Sequence, residues 1–448
     1  MFQGVSLRTV VALTVTIIAA LCGSVTSAGV LMDYAAIPAE EAQIRVLGGG
    51  HFDCENKPLD LSKGLYCYGP AAIRAAYGVD ALIAAGADGH GQTIVIVDAF
   101  GSPFVDADLQ IYNTTFGLPA ANFQQIYMPD TPAYSASNGT MVGWTAEIAL
   151  DVEWAHAMAP AASIVLVAAK SNDETDLIAA LNYALDHLSP NAISLSFGAA
   201  EVAFLSPAGL ESIKDWNAAF AKARRQRVTL FAAAMDRGVD TAGIGVPNVG
   251  WPAGAALVTS VGGTNLFFAT NGLADPNGSY VSEQVWNDGF GAGGGGVSRL
   301  TPEPNFQKSL PRTIRQQLNG FRGVPDVGMN AGVVGGLIVA WSAYRSGTFY
   351  VFGGTSAGAP EWAGIVADID ALLARPIGFL NTKLYALGGR GQLSSLLHDV
   401  TLGDNSYRQV PGYPAMAGFD LATGWGTPNV GSLLSLLRAT PDDEDADF

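Results

Sequence analysis

The feature that most constrains the fold is an alternation of short apolar runs with segments of helical periodicity. The runs have the length of β-strands, whereas the segments between them repeat apolar residues at helical spacing, as at Leu177, Leu181 and Leu185. A strand that is apolar along its whole length is buried on both faces, which is typical of a parallel sheet between helices. The sequence therefore predicts an α/β fold, a three-layer domain with a central, mostly parallel sheet and helices on both faces. The predicted strands are 94–97, 164–167, 193–195, 228–233 and 257–261.

The N-terminal residues have the composition of a secretory signal. Arg8 precedes an apolar stretch at 10–21, and small residues follow through Ala28. The stretch is too short to span a membrane comfortably, so residues 1–28 are predicted to be the signal peptide of a secreted protein and not a permanent membrane anchor. We predict an irregular N-terminal strap with no full pro-domain, then one large domain, then an acidic disordered tail, at 29–65, 66–440 and 441–448.

Composition excludes several kinds of partner. The 448 residues carry 40 acidic and 23 basic side chains, which gives a net charge of −17. This charge argues against nucleic acid and anionic membranes as partners. The apolar content of 49% supplies one large core, and we predict a monomer.

Two cysteines follow the predicted signal closely. Cys54 and Cys67 would enter an oxidising compartment together, which favours a disulfide between them. A metal site is the weaker alternative, because His51 alone beside them does not complete a tetrahedral set of ligands.

Ser356 lies where a nucleophile would be expected. It follows two glycines and a threonine and comes before a small-residue run that opens a predicted helix at 357–373. Glycines let a substrate backbone approach, and a helix start offers N–H groups and positive dipole to an oxyanion. Because serine alone is a weak nucleophile and such turns also begin ordinary helices, the segment requires a base elsewhere.

Two acidic residues one helical turn apart are candidates for that base. Glu147 and Asp151 lie in a stretch that is apolar on most sides, which indicates burial. Two buried carboxyl groups this close would share a proton, with one pKa raised and one lowered. The alternative, a solvated acidic face, does not fit the surrounding residues.

A third acidic residue follows one of the predicted strands. Asp236 comes after the run at 228–233 and just before Gly238. Sites collect at strand ends in parallel α/β sheets, although an aspartate that caps its own turn is as compatible with the position.

These segments together resemble the sedolisins, the serine-carboxyl peptidases, which have a subtilisin-like fold without a catalytic histidine. The resemblance extends from about residue 66 to about residue 437 and rests on the motifs around Ser356, Glu147, Asp151 and Asp236. It implies a sedolisin-like peptidase domain that cleaves proteins or peptides. Ser356 would be the nucleophile, Glu147 its base and Asp151 the residue that orients Glu147. Asp236 would be the oxyanion donor, together with the backbone N–H of Ser356. Supporting segments are 91–98, 194–198, 261–264 and 324–327.

The chemistry of these carboxyl groups predicts that the reaction proceeds at acidic pH. A carboxylate can accept the serine proton at about pH 4, where an ordinary histidine is already charged. Asp236 must instead be protonated, since only a neutral carboxyl group can donate a hydrogen bond to an oxyanion. We therefore expect activity at about pH 3 to 5.

The resemblance also implies one structural Ca²⁺ ion near the C-terminus. Two carboxylates with backbone carbonyls would form an oxygen cage, although loop aspartates this far apart are more often turn residues. The implied ligands are Asp399, Val400, Met416, Gly418 and Asp420.

Three features depart from the family pattern. No full pro-domain is predicted, so we expect full activity without a slow self-cleavage step. Phe197 and Asp98 stand where some relatives have tryptophan and glutamate, and Gly358 replaces a more frequent serine. None of these departures removes a catalytic group.

Two other functions are kept as alternatives. The chain could be a catalytically weak homologue that acts as a binding module. A histidine-dependent subtilisin-like protease using Asp98 and Ser356 is the other, but none of the five histidines lies in a His-Gly-Thr-His type of segment. The choice between endopeptidase and tripeptidyl-peptidase, and the side chains preferred before the cleaved bond, are left open.

Overall fold

The structure is a computed structural model that describes residues 31–32, 35–36, 46–48, 51–52, 54, 66–269, 279–393 and 396–432. The predicted signal peptide and acidic tail lie outside these ranges, as does most of the predicted strap. Within the described ranges, no helix combines the length and apolar character needed to cross a membrane.

The strands are numbered in chain order. They are β1 (Leu31–Met32), β2 (Ala35–Ala36), β3 (Val46–Gly48), β4 (His51–Phe52), β5 (Cys67–Tyr68), β6 (Thr93–Ala99), β7 (Asn122–Tyr127), β8 (Ser163–Ala169), β9 (Ala192–Leu195), β10 (Phe197–Ala200), β11 (Thr229–Ala233), β12 (Gly250–Trp251), β13 (Thr259–Ala269), β14 (Ser279–Val285), β15 (Gly296–Pro302), β16 (Phe321–Val324), β17 (Val327–Asn330), β18 (Gly336–Ala340), β19 (Phe349–Gly353), β20 (Leu397–His398) and β21 (Thr427–Pro428).

The α-helices of the described residues are numbered in the same way. They are α1 (Pro70–Tyr77), α2 (Val79–Ala84), α3 (Val105–Phe116), α4 (Gly139–Met158), α5 (Glu174–His187), α6 (Pro207–Arg225), α7 (Arg312–Leu318), α8 (Thr355–Leu373) and α9 (Leu380–Gly388). Short 3-10 helices occupy Glu201–Phe204 and Asn305–Ser309.

One eight-stranded sheet forms the centre of the molecule. Its order is β14-β13-β11-β9-β6-β8-β7, with β17 also paired to β13. All pairs are parallel except β13 with β14. The five predicted strands overlap β6, β8, β9, β11 and β13, with the predicted starts of the last two lying one and two residues early, which confirms the α/β fold with a mostly parallel sheet.

Helices cover both faces of this sheet. Ile94 and Ile96 of β6 pack into the core that contains α4 and α8, whereas Val95 and Val97 pack into the core that contains α5 and α6. Alternate residues of one strand therefore pack into two separate apolar layers, which is why residues 94–97 of the strand are all apolar. The three-layer prediction is confirmed.

Helices α4 and α8 lie unusually close to each other. A Cβ added to Gly364 of α8 would lie 2.6 Å from the Cβ of Met158 in α4, so only glycine fits there. Every residue of α4 from Met141 onward is buried. The two helices therefore pack directly against each other in this layer.

Two smaller sheets border the start of α8. One has the order β1-β10-β12 and the other β2-β19-β18-β5. Near them, Cys54 and Cys67 form a disulfide with a Cα–Cα distance of 5.4 Å, as the sequence predicted.

Candidate active site

Ser356 is the second residue of α8. The strand β19 leads directly to it through Gly354, whose φ of 132° and ψ of 153° suit glycine and few other residues. The helix begins at Thr355, two residues before the predicted start, and the Ser356 side chain is fully buried. The sharp change from strand to helix therefore presents Ser356 at a positive helix end.

Glu147 and Asp151 lie on α4, and both are fully buried. Burial raises the pKa of Asp151 well above its usual value, and the negative charges of Asp98 and Glu147 raise it further. Asp98, near the end of β6, is itself buried, which raises its pKa to about 8. The predicted pair is thus part of a group of three acidic side chains, and the solvated-face alternative is wrong.

Asp236 lies just beyond β11 and is 6% exposed. Its Oδ1 accepts a hydrogen bond from the backbone N–H of Thr355, at 2.7 Å, and another from the Thr355 hydroxyl, at 2.9 Å. Asp236 therefore caps the start of α8, the helix that carries Ser356. Because Oδ1 is an acceptor twice, a proton on this carboxyl group belongs on Oδ2.

Ser196 is a residue of the site that sequence reasoning did not single out. It lies between β9 and β10, and its hydroxyl donates to the backbone carbonyl of Ser356 at 3.0 Å. The Ser356 hydroxyl in turn donates to the Ser196 carbonyl at 3.4 Å. The only sequence signal for it was its place in the segment 194–198, which supported the family resemblance.

Two short strands of the predicted strap flank Ser356. In β1, Leu31 and Met32 pair antiparallel with Gly198 and Phe197, whereas β2 pairs antiparallel with Phe352 and Gly353 just before the nucleophile. The chain's own backbone therefore lies along both strands that border the candidate site.

Three of the five histidines, His156, His187 and His398, are engaged in other contacts. His156, on the same helix, donates from Nε2 to the Pro119 carbonyl at 3.0 Å. His398 stacks on the Tyr280 ring with centroids 3.6 Å apart. His187 lies against Tyr183 on α5, in the opposite helical layer. These contacts give no support to a histidine-dependent mechanism.

The implied calcium ligands come together in two loops. Asp399 Oδ2 accepts from the Gly418 N–H and Asp420 Oδ2 accepts from the Met416 N–H, both at 2.9 Å. Asp399 Oδ1 is buried without a hydrogen-bond partner, which is the kind of atom a cation would satisfy. Val400, which follows Asp399, is also buried. The residues thus fit an oxygen-ligated ion. Among the described residues no group of three or more His, Cys, Asp or Glu side chains forms a metal cluster, so carbonyls would supply most of the ligands.

The chain is similar to known peptidases over most of its length. The chain is 35% identical over 350 residues to kumamolisin of Bacillus sp. (strain MN-32), covering 77% of this chain and 59% of that protein. It is 28% identical over 360 residues to sedolisin of Pseudomonas sp. (strain 101), covering 78% and 58%. The chain thus spans less than two thirds of these relatives.

A solved structure gives the same result. Pseudomonas sedolisin, described as a serine-carboxyl proteinase complexed with two molecules of pseudo-iodotyrostatin, superposes with a TM-score of 0.71 at 26% identity. The match covers 84% of this chain and 99% of that one. No family model matches the chain. With the similarity extending over most of the sequence and of the fold, the chain belongs to the sedolisin family.

Proposed function

We propose that the protein is a secreted serine-carboxyl peptidase that hydrolyses peptide bonds in acid, acting as a monomer on protein or peptide substrates. The observation that carries the proposal is the double hydrogen bond from Thr355 to Asp236 Oδ1. It fixes a carboxyl group at the N-terminal end of α8, the helix whose second residue is the candidate nucleophile.

The reaction begins with attack on the substrate carbonyl. Ser356 Oγ forms a bond to the carbonyl carbon while its proton passes to the Glu147 carboxylate. Asp151, one turn along α4 and buried beside Glu147, orients that base. The carbonyl oxygen becomes an oxyanion, which accepts hydrogen bonds from the Ser356 N–H and from protonated Asp236 Oδ2.

The intermediate then collapses. The peptide C–N bond breaks, and the leaving amine takes the proton from Glu147, which leaves an acyl-enzyme. Water then attacks the acyl carbon while Glu147 accepts its proton, the ester bond to Ser356 Oγ breaks, and Glu147 returns the proton to Oγ, which releases the carboxylic acid product and restores Ser356. The cycle needs Glu147 able to accept a proton while Asp236 holds one, so we expect an optimum at about pH 3 to 5 and little activity by about pH 7.

A Ca²⁺ ion would be held by Asp399 and Asp420 with the carbonyls of Val400, Met416 and Gly418. The ion would supply positive charge that joins two loops and would take no part in the bond-breaking steps.

Hydrolysis of a denatured protein at about pH 4 tests the proposal. Ser356→Ala should abolish hydrolysis and Glu147→Gln nearly so. Asp236→Ala should reduce turnover by roughly 10² to 10³, and Asp236→Asn by less because an amide can still donate. Full turnover in a folded Asp236→Ala variant contradicts the oxyanion role, and a folded wild-type protein with no acid activity favours the binding-module alternative.

A further inference from the structure

Met235, the residue before Asp236, has a strained backbone. Its φ is +83°, a left-handed conformation that favours glycine. Its N–H donates to Thr355 Oγ1 at 3.0 Å, and its carbonyl accepts from the Gly294 N–H at 2.6 Å. Both bonds pin the conformation, and the Thr355 hydroxyl that accepts from Met235 also holds Asp236. Such strain in a non-glycine residue indicates a role at the site.

The Met235 side chain fills the space between two glycines. It is 1% exposed, and its Sδ lies 2.6 Å from the position of a Cβ added to Gly198. A Cβ added to Gly250 would collide with Met235 Cγ. Gly198 lies on β10 and Gly250 on its partner strand β12. The thioether therefore occupies a slot whose two walls are bare backbone.

The other edge of β10 accepts an extended chain. The protein's own β1 places Leu31 opposite Gly198 and Met32 opposite Phe197. A peptide extended in this register places its next residue opposite Ser196, whose carbonyl accepts from the Ser356 hydroxyl. That peptide residue is therefore the one beside the nucleophile.

Strand geometry decides where its side chain points. Positions two apart on a strand share a face, and directly opposed residues of an antiparallel pair also share a face. The side chain opposite Ser196 is therefore on the same face as Gly198, which is the face that Met235 covers. The space available to this substrate side chain therefore depends on how far the Met235 side chain fills the slot.

We infer that Met235 sets the size of the side chain accepted immediately before the cleaved bond, closing the pocket to all but small residues such as glycine, alanine and serine. This inference rests on the proposed peptidase function and names its substrate class. Because methionine is flexible, a larger substrate side chain can displace it. The displacement weakens the binding of that substrate.

Peptide substrates that differ only before the cleaved bond, alanine against phenylalanine, test the inference. Wild type should prefer alanine. Met235→Gly removes the side chain and relieves the backbone, and should raise kcat/KM for the phenylalanine peptide relative to the alanine peptide by about tenfold or more. Met235→Ala should shift the ratio in the same direction, and Met235→Leu, which keeps the bulk, should retain the wild-type ratio. An unchanged ratio in a folded Met235→Gly protein overturns the inference.

A binding experiment separates this inference from the proposed function. Acetylated tripeptides with a free C-terminal carboxylate, ending in alanine or phenylalanine, place their last residue in the same pocket without any reaction. Calorimetry on the full chain should show preference for alanine in wild type and its loss or reversal in Met235→Gly. If no variant hydrolyses peptides but the binding preference shifts, the proposed function fails and the pocket assignment stands; an equal preference in both proteins rejects the pocket assignment.

Discussion

Two buried acidic regions of this molecule are built in opposite ways. Asp326 is fully buried with a cation, since its Oδ2 accepts from Arg322 at 2.6 Å and from the Ser260 N–H at 2.8 Å, and its Oδ1 accepts from the Tyr385 hydroxyl at 2.7 Å. Asp98 is equally buried, yet neither of its carboxyl oxygens has a hydrogen-bond partner among the described residues.

The presence or absence of a neighbouring cation separates acidic side chains that stabilise the fold as ions from acidic side chains that can take up a proton. A buried carboxylate with a guanidinium and full hydrogen bonding can stay ionised, whereas one without a cation is stabilised by taking up a proton. Asp98 and Asp151 belong to the second kind, and the charges of Asp98 and of the proposed base Glu147 both act on Asp151. Within the part of the chain that the structure describes, no cation lowers the pKa of Asp98 or Asp151, whereas a guanidinium lies beside Asp326.

The comparison predicts that the protein is more stable in acid than at neutral pH. Burial raises the pKa of Asp98 to about 8. Because this folded-state value lies above that of the unfolded chain, the stabilisation is fully present below about pH 4 and is lost as pH rises towards about pH 8. One pKa unit corresponds to about 1.4 kcal/mol, so the loss should reach several kcal/mol.

Unfolding at a series of pH values checks this. Asp98→Asn should flatten the pH dependence, while Asp106→Asn, at an exposed position, should not. Equal stability of the wild-type protein at about pH 4 and about pH 8 would show that the buried acids do not retain their protons.

Removing the cation from the other region should have the next largest effect. Arg322→Met leaves Asp326 buried without its counter-charge and should cost about 3 to 5 kcal/mol. Adding Asp326→Asn to that variant should recover part of the loss, because the uncompensated charge is then gone. Denaturant unfolding of the single and double variants measures both, and a double variant no more stable than the single one refutes the assignment.

Local patterns in the sequence predicted much of the fold. The apolar runs of β6 and β8 marked a parallel sheet because both faces of each strand are buried. The acidic turn of α4 was predicted as buried for the same reason, since apolar residues surround Glu147 on most sides. These features depend on neighbours along the chain, which a single sequence displays.

The contacts that join the site could not be predicted in this way. Thr355 holds Asp236 across 119 residues of sequence, and Ser196 reaches the Ser356 carbonyl across 160. Register and side-chain direction between distant segments are set by packing, so neither the role of Thr355 nor the slot filled by Met235 has a local signature.

Calcium should have a smaller effect on the free energy of unfolding, because it binds the native state alone. At a free Ca²⁺ concentration one hundred times the Kd, binding stabilises the folded protein by about 2.7 kcal/mol. Removing calcium with a chelator near neutral pH should lower the Tm, and Asp420→Ala should remove most of that response. Asp240→Ala is the matched control, because its carboxylate is held by the N–H groups of Ile244 and Gly245 in another loop. A Tm indifferent to chelator rules out the ion.

The smallest expected effect concerns the strands of the N-terminal strap. The sequence predicted immediate full activity, but β1 and β2 lie along the strands on either side of Ser356, where a substrate would pair. This placement leads to a different prediction: the strap should compete with substrate, and initial rates should rise when it is removed. A backbone hydrogen bond contributes a net of about 0.5 to 1.5 kcal/mol, so each such bond that the substrate must displace predicts a rate increase of about two- to tenfold.

A variant with residues 29–36 deleted, compared with the full chain at limiting substrate, measures that increase. A synthetic peptide of residues 29–38 should then inhibit the deletion variant competitively, and a scrambled peptide of the same composition should not. The peptide control matters because deletion alone could alter folding. Equal initial rates in the two proteins, with no inhibition by the peptide, would show that β1 and β2 do not occupy the substrate's place in solution. A rate increase with competitive inhibition would instead show that β1 and β2 cover the candidate site. The buried acids of α4 would then differ from Asp326 in a second way, because the chain's own backbone keeps substrate from them.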